Sequence, residues 1–186
     1  MSDNKSINIS GTANKYQIKK LTKLAAAPIC IRKETENWSV SDEELSYDLQ
    51  LNIIRLAKDN NDIIKQYPLF FSQIESKINN YKHQDIIKKI LCLEKFVTIT
   101  DVIKQLDKAN LCCHYCYDPL FVLYKIVREM KQWTLDRINN DLGHNNDNIV
   151  ISCLKCNLSR RRTNKDAFLF TKQFKLVKHT GVPPSA

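Results

Sequence analysis

Two Cys-x-x-Cys pairs constrain this chain more than any other feature: Cys113/Cys116 and Cys153/Cys156, with 36 residues between the second cysteine and the third. Four thiolates satisfy the tetrahedral preference of Zn²⁺, and each close pair presents two sulfurs to one ion. The gap exceeds the ~15–20 residues of a simple double-knuckle zinc finger. A structured insert is therefore expected between the ligands, with zinc as its clamp, because a unit this small cannot hold itself together through its own core. Cys30, Cys92 and Cys112 are expected as thiols. Cys112-x-x-x-Cys116 competes with Cys113-x-x-Cys116 as the first half of the site.

The insert has a readable pattern. Trp133-Thr-Leu-Asp-Arg-Ile138 reads as a strand and Asn139 to Asn146 as a polar loop around Gly143. Asn148-Ile-Val-Ile-Ser152 reads as a second strand, and a helix begins near Leu154 and runs, with or without a break, to about Lys178. The apolar stretch Tyr117 to Val127 fits a buried strand or a short helix equally.

Upstream, the pattern is helical. Ser41-Asp-Glu-Glu44 is a capping box, followed by Leu45, Leu49, Ile53 and Leu56 at helical spacing. Phe71, Ile74, Ile78 and Tyr81 form a second stripe, and Ile86, Ile90, Leu93 and Val97 a third. Thr98-Ile-Thr-Asp101 caps a further helix carrying Val102, Ile103 and Leu106 to the first knuckle. Residues up to Leu24 are polar and basic, with Lys15, Lys19, Lys20 and Lys23.

Composition excludes some function classes. Hydrophobic residues make up 43% of the 186, enough for a core, yet no run approaches the ~18 apolar residues that span a bilayer. The start has neither a secretory nor a transit pattern, so a soluble, intracellular protein with reduced cysteines is expected, in cytoplasm or nucleus, without membrane association. The net charge of +9 favours a polyanionic partner. Abundant Asn, Ile and Lys also fit an A/T-rich coding sequence, which says nothing about partners.

Leu135-Asp136-Arg137, Gly143-His144, Asn148-Ile-Val-Ile-Ser-Cys153 and Cys156-Asn157-Leu-Ser-Arg160 lie between about Leu111 and Phe170. This span resembles the HNH endonucleases, the zinc-containing branch of the ββα-metal (His-Me finger) nucleases. Such proteins are often encoded by phages, large viruses and mobile elements. The resemblance implies a structural Zn²⁺ on the four cysteines and a catalytic Mg²⁺ or Mn²⁺ held by Asp136 and Asn157, with Asn148 fixing the loop. The expected fold is α+β: a basic tail over 1–37, poorly ordered, an α-helical domain over 38–110, a zinc-stapled ββα-metal module over 111–178, and a tail over 179–186.

Helix geometry agrees with Asn157 as a ligand. Neighbouring helical residues diverge by ~100°, so Asn157 faces away from a zinc-bound Cys156, with Arg161 and Asn164 on its face. Arg137 departs from the family pattern, which has the general-base histidine there. Arginine accepts no proton at neutral pH. Arg137 is expected to bind phosphate or stabilise transition-state charge, and His144 is the nearest base candidate, with a loop-structuring role as its alternative. Strand alternation sets Asp136 and Arg137 on opposite faces unless β geometry bends there. Taken singly, Asp136 fits a salt bridge with Arg160, and Asn157 fits a helix cap.

Lys155, Arg160, Arg161, Arg162 and Lys165, with Lys172 and Lys175, make the last helical region basic and suited to phosphate contacts, or simply to solvation. The expected function is a metal-dependent endonuclease hydrolysing DNA phosphodiester bonds in duplex or branched DNA. The helical part is expected to place it on a substrate or protein partner. The rivals are a non-catalytic zinc module that binds nucleic acid and a structural subunit of a nucleoprotein assembly.

Overall fold

Residues 29–58, 60 and 62–173 are described by the computed structural model. Most of both expected tails, and the end of the expected C-terminal helix, lie outside the described residues. Mixed helix and strand make this an α+β chain.

After a 3₁₀ turn at Lys33–Asn37, the expected capping box closes: Ser41 N–H donates to Glu44 Oε2 at 2.9 Å and Glu44 N–H to Ser41 Oγ at 3.3 Å. It closes a turn ahead of the helix rather than the helix itself. Helix α1 spans Tyr47–Ala57, with Ser46 as its N-cap. This later start selects the inward face Gln50, Ile53, Ile54 and Ala57, and Leu56, expected to pack inward, is 47% exposed. Buried Gln50 accepts from Val122 N–H and Leu123 N–H and donates to Leu123 O. That amide satisfies the backbone of the Tyr117 to Val127 stretch, which forms neither strand nor helix.

Helices α2, Asp62–Gln66, and α3, Pro68–Ile87, follow, with Pro68 in the first turn of α3 where its missing N–H costs nothing. Phe71, Ile74, Ile78 and Tyr81 are buried, as their spacing predicts. The third stripe is not a helix. Helix α3 stops at Ile87, Lys89 takes φ 57°, and Ile86 and Leu93 are 52% and 71% exposed. The cause is Asp85, whose carbonyl takes Ile90 N–H while its carboxylate is tied to the loop beyond Gly143. Helix α4, Ile99–Lys108, carries the Thr98/Asp101 capping box and buries Val102, Ile103 and Leu106 as expected.

Strands β1, Trp133–Arg137, and β2, Ile149–Cys153, pair antiparallel, with Trp133 opposite Cys153 and Asp136 opposite Val150. Tyr81 Oη accepts from Leu135 N–H at 3.1 Å and Lys77 Nζ donates to Trp133 O, so side chains one turn apart on α3 satisfy the outer edge of β1. Helix α5, Leu154–Arg160, leaves β2 without a loop and ends at Arg161, where φ is 53°. Helix α6, Lys165–Gln173, restarts with Asn164 Oδ1 accepting from Asp166 N–H and Ala167 N–H. The break overturns the expectation that Arg161 and Asn164 share a face with Asn157. The described residues from Ile31 to Gln173 form one unit, with buried side chains from α1, α3, α4, both strands, α5 and α6 in one core. Among the described residues no helix is long and apolar enough to cross a membrane.

Candidate functional site

The four cysteine sulfurs of Cys113, Cys116, Cys153 and Cys156 lie within 4.8 Å of one another. A tetrahedron with Zn–S bonds of about 2.3 Å has S···S edges of about 3.8 Å. The Cys116–Cys153 separation is 3.9 Å. Each knuckle also turns a backbone N–H toward its first sulfur: Tyr115 N–H to Cys113 Sγ at 3.4 Å and Cys156 N–H to Cys153 Sγ at 3.2 Å. Tyr117, with φ 60°, closes the first turn by donating its N–H to Cys113 O. Cys112 is not a member. Its Sγ lies 3.3 Å from Tyr47 Oη, which decides the competition for Cys113.

The thiols resist common ionisation. The hydrogen bond from Cys153 draws Cys113 down to about 5, burial pushes Cys116 up to about 12, and Cys153 and Cys156 are raised as well. One thiolate forms readily and then opposes the next. A dication removes that opposition, so the donor set fits a metal such as zinc.

Downstream along the hairpin, β1 alternation separates the remaining candidates. Thr134 and Asp136 turn toward α5. The Asp136 side chain is buried; Oδ2 accepts from Tyr115 Oη at 2.6 Å and Arg160 Nε at 2.5 Å, and Oδ1 from Arg160 Nη2 at 2.8 Å. Arg160 also donates to Thr163 O and to Arg137 O. It is 1% exposed, which overturns its expected role as a nucleic-acid contact. The Asp136 hydrogen bonds raise the Arg160 guanidinium and, together with burial, the Tyr115 phenol. Of the two readings of Asp136, the Arg160 salt bridge is the one formed.

Asn157, half-buried and one turn before Arg160, donates through Nδ2 to Thr134 Oγ1 at 3.1 Å and Leu135 O at 3.4 Å. It is not the helix cap, a position Cys153 fills. Asp136 and Asn157 therefore lie on the same, α5-facing side of β1 with different partners. The Asp136 carboxylate is held by the Arg160 guanidinium through both of its oxygens.

The other side of β1 holds a second cluster. His144 is 3% exposed, its Nδ1 2.8 Å from Asp85 Oδ1 and its N–H bonded to Asp85 Oδ2. Its ring stacks on Tyr81 at 4.4 Å. Arg137 Nη1 reaches Leu142 O and lies 4.0 Å from Asp85 Oδ1. Burial lowers the His144 imidazole below its ordinary range despite the Asp85 carboxylate. Asn148 pins the loop: Nδ2 donates to Asn139 O and Gly143 O, and Oδ1 accepts from Asn139 N–H. Gly143 fits here because a Cβ would meet Ile90 O at 2.7 Å and Asp85 Oδ2 at 2.8 Å.

This geometry corrects the expected base. Hydrogen bonds to Asp136 come from Tyr115 and Arg160, whereas His144 and Arg137 gather at Asp85. His144 takes its loop-structuring alternative. Tyr115 and Asp85 were not identified from sequence; Tyr115 sits inside the first knuckle, the one local cue to its role.

Lys155 is exposed at the start of α5, Arg161 and Arg162 are exposed just past its end, Arg162 paired with Asp141, and Lys165 pairs with Asp166 at the start of α6. Comparisons with protein-family models, curated proteins and solved structures return no match.

Proposed function

We propose that this chain is a metal-dependent endonuclease of the HNH type, hydrolysing DNA phosphodiester bonds on a zinc-stapled ββα unit. The observation that supports this reading is that Asp136 and Asn157 lie on the same side of β1, Asn157 bonding Thr134, whose side chain shares the Asp136 face, and Arg160 of the same helix bonding Asp136. Asp136 and Asn157 would hold Mg²⁺ or Mn²⁺, which supplies electrophilic polarisation of the phosphate when bound. Lys155, Arg161 and Arg162 position the DNA backbone without reading sequence. Tyr115 and Arg160 must release the Asp136 carboxylate before it can act as a ligand. With His144 turned to Asp85, the centre forgoes that residue's share of the ~10²–10⁴-fold contribution of general-base catalysis, so slow nicking is the expected activity.

A second reading is favoured by the saturation of Asp136 by Tyr115 and Arg160: a zinc module that binds nucleic acid without cutting it, with the guanidinium as its resident cation. Relaxation of supercoiled plasmid by zinc-loaded protein separates the two. Nicking that requires Mg²⁺ or Mn²⁺ and disappears in Asp136→Ala and Asn157→Ala supports the endonuclease, provided both variants keep zinc and helix content. Salt-sensitive DNA binding without scission selects the second reading. Equal cleavage by wild type and Asp136→Ala would remove the first.

A further inference from the structure

Between α3, the segment before the 3₁₀ turn and the start of β1 lies a cavity of about 90 Å³, lined by Arg32 and Lys77 together with Gln73, Ser76 and Asn80. The space is small and open to solvent, and it suits one tetrahedral oxyanion. Two cations share its aromatic wall. Arg32 Cζ is 4.6 Å from the Tyr124 ring centroid, and Lys77 Nζ is 5.7 Å from the same ring and 5.0 Å from that of Trp133.

Lys77 has no ion pair among the described residues, whereas Arg32 gives both Nε and Nη2 to Glu34 Oε2, at 3.2 and 2.8 Å. Lys77 Nζ donates to two neutral acceptors, Gln132 Oε1 at 2.8 Å and Trp133 O. An ammonium has three donors, so one remains. Arg32 pairs with Glu34, whose side chain is 71% exposed, a solvent-screened and weak partner. Its contacts to Gln73 Oε1 and Tyr124 O are long, at 3.3 and 3.4 Å. The titratable neighbours of Lys77 here are Arg32, Glu34 and Tyr124. Burial, reinforced by Arg32, pulls the amine down to about 7.

We propose that this cavity is an oxyanion site that takes one phosphate group, with Lys77 as the point charge and Arg32 exchanging the exposed Glu34 carboxylate for the anion. Gln73, Ser76 and Asn80 supply neutral hydrogen bonds on the α3 side. The phosphate comes free in solution or as a monoester at a nucleotide or DNA 5′ end. None of the contacts to Asp136 involves these residues, so the site stands or falls separately from the proposed nuclease centre.

Isothermal titration of zinc-loaded full-length chain in low-chloride buffer tests it with sodium phosphate, deoxyadenosine 5′-monophosphate, and one short oligonucleotide carrying either a 5′-phosphate or a 5′-hydroxyl. One-site saturation is expected, weakened at least tenfold in Lys77→Met and Arg32→Gln. Asn80→Asp, at an exposed position, places a negative charge at the rim without disturbing the core and is expected to weaken binding as well. Equal affinity for phosphate and monophosphate would mark a general phosphate site. A tenfold preference for the 5′-phosphorylated strand over both its hydroxyl form and free phosphate would make a DNA end the source. Absence of saturable binding by every probe, or wild-type affinity in Lys77→Met and Asn80→Asp, overturns the proposal.

Discussion

The two sides of β1 carry similar chemistry to different ends. Toward α5, Asp136 is locked by Arg160 and Tyr115 beside Asn157; on the other side, Asp85 from α3 is locked by His144 with Arg137 nearby. Each side buries a carboxylate against a cation or imidazole. The α5 side also carries Asn157, bonded to Thr134 on the Asp136 face of β1, and the exposed Lys155, Arg161 and Arg162. The α3 side spends its polar groups on closing the Asn139 to Asn148 loop. Burial of titratable groups therefore does not distinguish a reactive site from a clasp, whereas the neighbours left open to a ligand do.

The largest effect that bears on this contrast is expected from zinc. Structural zinc is worth ~10–16 kcal/mol in apparent binding energy, so chelation should collapse both sides together, read as loss of tertiary circular dichroism that zinc restores. Retained hairpin structure after verified zinc loss would show that the core alone holds β1. Next is Arg160→Ala, which leaves the Asp136 carboxylate buried with Tyr115 alone and should cost about 3–5 kcal/mol in urea unfolding. A loss below about 1 kcal/mol would mean the Asp136 carboxylate is open to solvent. On the other side, Gly143→Ala forces a methyl into Ile90 O and Asp85 and should cost about 1–3 kcal/mol.

The smallest effect is acid sensitivity from His144. Its folded-state pKa is lowered by burial, so as pH falls through the unfolded value of about 6.5 the unfolded chain takes up the proton first. Stability should therefore decline below that pH, by at most about 1.4 kcal/mol per unit from this group. A His144→Gln variant should show a flatter urea midpoint between pH 7 and 5.5. Identical profiles would remove the imidazole from this account.

Much of this fold was legible because its determinants are local. The Thr98 capping box, the Phe71 to Tyr81 stripe, the two strands and the four-cysteine cluster each follow from a few neighbouring residues. The Ile86 to Val97 stripe misled because helical spacing cannot register Asp85 reaching 59 residues ahead to His144. Gln50, whose amide holds a loop 73 residues away, is equally silent in its own helix. At the site, alternation along β1 forecast the separation of Asp136 from Arg137, and that rule outweighed the family expectation of a base beside the acid. Arg160 carried two readings, a phosphate contact and a salt bridge with Asp136, and the one-dimensional pattern does not choose between them because it does not reveal that i+3 from Asn157 faces the strand.

The central claim, two independent clusters divided by β1, is tested most directly by double-mutant cycles in urea at fixed free zinc. Asp136→Ala with Arg160→Ala should show a coupling of about 1–3 kcal/mol, whereas Arg160→Ala with His144→Gln should be additive within about 0.5 kcal/mol. Strong coupling between Arg160 and His144 would contradict the division and return the histidine to the Asp136 site.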